Sequence, residues 1–189
     1  MSHRFAAGSK DAIELVIPDM LGSKFEAEMR AQIPRLRRYA RALSGDAMRA
    51  DDLVQETLAR GWEKRSLWQP GSDLRAWLFA IMHNLFVNEI RRRVPLATDL
   101  DAVAEVASPD WLPEQALLLR DLARALAMLS ADQRAVVLLV GLEGMRYEEA
   151  ARVLSVPIGT VMSRLSRARD QLRLILDGSN VQATLRVVK

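Results

Sequence analysis

Cysteine is absent from the 189-residue chain, which removes disulfides, thiolate nucleophiles and cysteine metal sites together. Histidine occurs only at His3 and His83, too far apart in sequence to read as paired ligands. No nucleophile–base pair or ligand cluster appears elsewhere, so no catalytic residue, metal or cofactor is expected. Glycine and proline are sparse, and β-branched or aromatic runs of period two are almost absent. That pattern reads as all-α. The longest dense apolar run, AVVLLVGL at 135–142, is far shorter than the roughly 20 residues that cross a bilayer. The first residues lack a basic flank followed by a continuous apolar segment, so they do not read as a signal peptide. Together these absences point to a cytoplasmic protein that does not insert into membranes.

What is present is apolar content and arginine. Half of the residues are hydrophobic, enough to bury a core. The net charge is only +3 although the pI is about 9.7, so any affinity for a polyanion depends on where the arginines cluster.

The chain divides into two small helical domains joined by a flexible linker. Residues 1–24 are a variable leader. Residues 25–93 carry three helical patterns: 25–43, where Pro34 is expected to kink or restart the helix; 47–64, with Asp46 as N-cap; and 74–93. The second has Leu53, Val54, Leu58, Gly61 and Trp62 as its inner stripe and Asp52, Gln55, Glu56 and Glu63 outside. The third places Leu74, Trp77, Leu78, Ile81, Leu85 and Ile90 inward and closes on Arg91, Arg92 and Arg93. The loop WQPGSD at 68–73 separates these two helices. Residues 94–113 then carry three prolines and several acids with no basic residue, a flexible acidic linker. A second domain follows at 114–177, with a capping box at Ser130 and Gln133, and residues 178–189 form a tail expected to fray.

Residues 147–173, YEEAARVLSVPIGTVMSRLSRARDQLR, have the proportions of a helix-turn-helix: a short helix, a turn at Ser155 and Val156, and a longer helix from Pro157. Ala150 and Ala151 are small enough to let the helices approach. Ile158, Val161, Leu165, Ala168 and Leu172 form one buried stripe. At about 100° per residue, Ser163 points directly away from it. Thr160, Arg164 and Arg167 lie on one flank; Met162, Ser166, Arg169 and Arg173 lie on the other. A buried back with short polar and arginine side chains in front is what a recognition helix needs for base edges and phosphates. A plain solvated arginine face is the bland alternative.

GTVMSRLSRARDQL is similar to the region 4.2 signature of bacterial RNA polymerase sigma factors of the extracytoplasmic-function (group IV, sigma-70 family) type. RADDLVQETLARGW resembles region 2.1–2.2, and DLRAWLFAIMHNLFVNEIRRR resembles regions 2.3–2.4. The resemblance covers about residues 25–176, and its region 2 wording is close to the alphaproteobacterial general-stress branch. It implies an alternative sigma factor that binds core RNA polymerase and directs it to promoters. Asp52, Gln55 and Glu56 would dock on the polymerase. Trp68, Ser72, Asn84 and Asn88 would form the pocket and rim for a flipped base of the single-stranded −10 element, with Arg91, Arg92 and Arg93 on phosphates. Thr160, Met162, Ser163, Arg164, Ser166 and Arg167 would read the double-stranded −35 element. The acidic linker would thread the polymerase cleft, and an anti-sigma factor is an expected partner.

Three departures stand out. Met162 sits where the family commonly has lysine or arginine; Arg146 sits where serine or threonine usually caps the first helix-turn-helix helix; and Gly61 replaces a usual alanine, at about 1 kcal/mol of helix propensity. Two other readings remain: a sigma-like decoy that sequesters an anti-sigma factor, and a conventional helix-turn-helix regulator. His83 reads as structural or as a surface contact.

Overall fold

A computed structural model describes residues 10–69, 71–93 and 113–187, with side chains over 24–69, 71–92 and 117–177. Seven α-helices and no strand occur among the described residues: α1 (Lys10–Ser44), α2 (Ala47–Glu63), α3 (Leu74–Arg93), α4 (Pro113–Ala127), α5 (Ala131–Val137), α6 (Tyr147–Leu154) and α7 (Ile158–Val187). A short 3₁₀ turn at Arg65–Leu67 follows α2, and α5 widens into one π-helical turn at Leu138–Leu142. The acidic linker, and with it the placement expected of it, lies outside the described residues.

The first lobe is α1 packed on α2 and α2 on α3. Asp46 starts α2 as expected, its carboxylate accepting from the Arg49 N–H at 2.9 Å. Ala50, Leu53, Val54, Thr57 and Gly61 form the buried side of α2. Thr57 is polar yet fully buried, because its hydroxyl donates back to the Leu53 carbonyl at 2.7 Å. Trp62, expected inside, lies at the edge of the core, 41% exposed, with its ring beside Phe25 and under Arg65. Gly61 has a packing reason that its helix propensity hides. A Cβ there would stand 2.9 Å from Leu78 Cδ2, so an alanine fits only if the Leu78 side chain shifts.

Pro34 does not restart the first helix; α1 runs unbroken through it. Pro34 and Arg30 are both exposed, so the Arg30 carbonyl that loses its amide partner can be satisfied by water. The expected leader boundary at 24/25 therefore falls inside α1. At the other end, the tail expected to fray continues α7 as helix to Val187. No proline interrupts it between Ile158 and Val187.

The second lobe is α4 to α7. Ser130 and Gln133 make the expected capping box at the start of α5. Arg134 closes the preceding turn in a way periodicity cannot show: its guanidinium donates to the carbonyls of Leu126, Ala127 and Leu129 at 2.8–3.2 Å, the end of α4 where carbonyls lack intrahelical donors. Ser155 ends α6 in the left-handed conformation, φ 53°, and the Val156 N–H reaches the Ala151 carbonyl at 3.0 Å. The turn between α6 and α7 is therefore tight. Val161, Leu165 and Ala168 are buried as expected, while Ile158 is 38% exposed at the rim.

The cap residue of α6 makes no side-chain hydrogen bond to the first-turn amides, the weaker cap expected of an arginine there. Arginine has no acceptor for an N-terminal amide, so Arg146 cannot act as serine would. Instead Glu149 reaches back: one carboxylate oxygen accepts the Arg146 N–H at 3.0 Å and the other accepts from its guanidinium. These bonds hold the Glu149 carboxyl below its usual pKa, the backbone bond contributing most.

The lobes are not separate bodies. α3 packs on α6, and α1 touches both α5 and the π-helical turn, so one apolar cluster runs from Leu36, Tyr39 and Phe79 to Leu139, Val153 and Leu154.

Candidate polymerase and nucleic-acid interfaces

On α2, the side opposite the core presents Asp52, Gln55 and Glu56, all exposed. Glu56 pairs with Arg60 one turn on, at 2.9 Å, a surface contact worth a few tenths of a kcal/mol. The three candidates share one wet, acidic face, as the sequence implies.

The −10 candidates do not converge on one pocket. Asn84 and Asn88 are exposed and one turn apart on α3. Ser72 is exposed in the preceding loop, where its hydroxyl donates to the Gln69 carbonyl at 2.7 Å. From Leu74, the first residue of α3, to Asn84 is about 15 Å at 1.5 Å per residue, so the loop and the two asparagines are spread along the helix. Trp68 is turned inward: its ring lies 5.2 Å from that of Phe25, and its indole Nε1 is buried without a hydrogen-bond partner. Phe25 also lies 6.3 Å from Trp77, which agrees with a core role for Trp77. Arg91 and Arg92 are exposed at the end of α3; the Arg93 side chain lies outside the described residues.

On α7, Ser163, Ser166 and Arg167 are exposed and Thr160 is half-buried. Arg164 differs from Arg167 although both lie on the same flank. Its guanidinium is bound to the Asp132 carboxylate of α5 at 2.5 Å, leaving the side chain 27% exposed. Asp132 comes 32 residues earlier, so no local pattern marks the pair. Met162 is half-exposed and lines a shallow groove with Tyr147, Ser166, Arg169 and Arg173. An apolar side chain thus shares one groove with Arg169 and Arg173.

His83 is structural: it is buried, with Nδ1 unpartnered. Burial is the main cause of its lowered pKa, with the nearby Arg164 charge adding to it and Asp132 opposing. His83 on α3 therefore lies close to the Asp132–Arg164 pair of the second lobe. Among the described residues no group of acidic, histidine or cysteine side chains could hold a metal ion, and no helix is long and apolar enough to cross a membrane.

Family models agree with both lobes. Residues 29–83 match the sigma2 domain of PhyR, and residues 119–172 match sigma-70 region 4. The ECF RNA polymerase sigma factor EcfG of Rhodopseudomonas palustris is 42% identical over 147 residues, 77% of this chain and 81% of the relative. The chain belongs to the ECF RNA polymerase sigma factors. A second relative, ECF sigma factor SigE of Mycolicibacterium smegmatis, is 40% identical over 77% of this chain and 58% of its own length. Among solved structures, the sigma factor RpoE in complex with the anti-sigma factor NepR, from Bartonella quintana, is 39% identical. It matches with a TM-score of 0.67 over 82% of this chain and 97% of that one. As an ECF sigma factor the protein is a regulatory subunit for transcription initiation and not an enzyme.

Proposed function

We propose that this sigma factor uses three distinct faces. The acidic α2 face of Asp52, Gln55 and Glu56 docks on core RNA polymerase, where it complements a basic surface. Asn84, Asn88 and Ser72 guide the single-stranded −10 element along α3, with Arg91, Arg92 and Arg93 on its phosphates; Trp68 supports that track from within the aromatic cluster. Ser163, Ser166 and Arg167, flanked by Thr160 and Met162, meet the −35 duplex, and Arg164 joins them only when it leaves Asp132. The acidic linker passes through the polymerase cleft, an anti-sigma factor binds the protein, as one does the Bartonella neighbour, and the protein works in the cytoplasm.

One observation carries the reading: α7 has a fully buried back at Val161 and Ala168 and an exposed polar and cationic front at Ser163, Ser166 and Arg167. That is the layout a helix needs to enter a major groove.

Run-off transcription with purified core polymerase and a promoter library tests it. Initiation that requires paired −35 and −10 elements is expected. Tight core binding with no promoter-dependent transcript would favour the decoy, and binding to palindromic DNA without core would favour a conventional regulator.

A further inference from the structure

The contacts between the lobes are not only apolar. Glu143 follows the π-helical turn of the second lobe and its carboxylate has no exposed surface. One oxygen accepts from Arg38 of α1 at 2.7 Å; the other is buried without a partner. The Tyr39 hydroxyl is also buried and unpartnered, and its pKa is raised by burial first and by the Glu143 charge second. Arg75 of α3 donates to the Glu143 backbone carbonyl at 3.2 Å and lies 3.8 Å from the Glu149 carboxylate of α6. Arg134 of α5 donates to the Leu43 carbonyl of α1 at 2.8 Å. Three arginines thus cross the gap, and two of them converge on one buried glutamate.

This arrangement cannot read a promoter. Touching helices have axes about 8–10 Å apart, and α3, which carries Asn84 and Asn88, touches α6 of the helix-turn-helix. Elements centred at −10 and −35 are about 25 base pairs apart, or about 85 Å along B-form duplex at 3.4 Å per step. Both readers cannot reach their elements while the lobes stay joined.

We propose that the lobes are latched shut by the chain itself through Glu143, gripped by Arg38 and Arg75, and that releasing this latch is an activation step. The proposal rests on the two-element promoter reading above. A buried carboxylate is tolerated only while its cation is in place. Opening the lobes exposes Glu143 to water, so the closed and open states are separable by a modest change at one charged pair. Loss of Arg38 strands the carboxylate in the closed state and favours the open one. Removing the charge of Glu143 as well relieves that penalty and lets the apolar interface close again.

The absence of cysteine makes the test direct. Cysteines placed at the exposed positions Ser66 and Met128, one in each lobe, carry a donor and acceptor for single-molecule energy transfer on the full chain, with no polymerase or DNA present. The unsubstituted latch gives one short-distance population. Arg38→Ala raises the open-to-closed ratio more than about tenfold, and Arg38→Ala with Glu143→Gln restores the short distance. Circular dichroism melts check that each variant folds; Arg75→Ala, which leaves Glu143 paired with Arg38, serves as the second variant and opens the lobes less. With core polymerase limiting, Arg38→Ala also raises promoter-dependent initiation severalfold. A long-distance population in the original chain, or an Arg38→Ala chain that stays closed, overturns the latch. Failure of initiation alone, with the distances as expected, overturns the promoter reading instead.

Discussion

α2 and α3 are neighbours of similar length, yet they differ in how many sides they bury. α2 has one buried side, from Ala50 to Gly61, and one wet side, from Asp52 to Glu56. α3 buries Leu74, Leu78, Phe79, Met82, His83 and Phe86, an arc of about half its circumference at about 100° per residue, wider than that of α2. Leu78 meets α2 at Gly61, Phe79 meets α1 at Tyr39 with ring centroids 5.0 Å apart, and His83 lies towards the second lobe. A helix wrapped by neighbours on several sides loses its clean period. A helix with one clean wet face is available to a partner, and on α2 that face is acidic.

The comparison breaks most visibly in stability. Phe79→Ala is expected to lower unfolding free energy by about 3–5 kcal/mol, whereas Gln55→Ala on the wet side of α2 should change it by less than about 0.5 kcal/mol. Urea titrations of both variants decide this; similar losses would mean that α2 is covered too. Next in size is a contrast on α7. Arg167→Ala should weaken −35 duplex binding by about 1–3 kcal/mol and reduce the salt slope by about one. Arg164→Ala should weaken it less, because that guanidinium must first leave Asp132. Fluorescence anisotropy across a salt series separates the two.

A smaller effect concerns pH. His83 is held neutral by burial, its folded pKa lying below the unfolded value of 6.5. The unfolded chain therefore binds the extra proton, so this contribution is fully present above about pH 6.5 and declines as pH falls below it. The melting temperature should drop between pH 7 and 5, and His83→Leu should flatten that slope. Smallest is Gly61→Ala. The gain of about 1 kcal/mol in helix propensity is offset by crowding against Leu78, which costs about 1–3 kcal/mol. A slight net destabilisation is expected, and a more stable variant would show that Leu78 has room to move.

Local chemistry made much of this molecule legible. Asp46, Ser130 with Gln133, and the Ser155–Val156 turn act within a few residues, so their signals are complete in a short window. The buried back of α7 and the acidic front of α2 followed from helical period alone. What escaped depends on residues far apart in sequence. Arg38 and Glu143 are separated by 105 positions, and Asp132 and Arg164 by 32. Nothing near Arg164 distinguishes it from Arg167. Gly61 read as a cost because Leu78 was invisible, and at the start of α6 the cap residue is weak as read while Glu149 reaches back to it. Trp68 looked like a stacking platform, but Phe25, at the far end of the lobe in sequence, draws its ring inward.

The most direct test of the central claim is the affinity of the full chain for core RNA polymerase, measured alongside the double charge reversal Asp52→Lys with Glu56→Lys. The wet face of α2 predicts at least about a tenfold loss of affinity, with the melting temperature unchanged and −35 duplex binding retained. Undiminished core binding by the reversed face would contradict the assignment of α2 as the polymerase-docking surface.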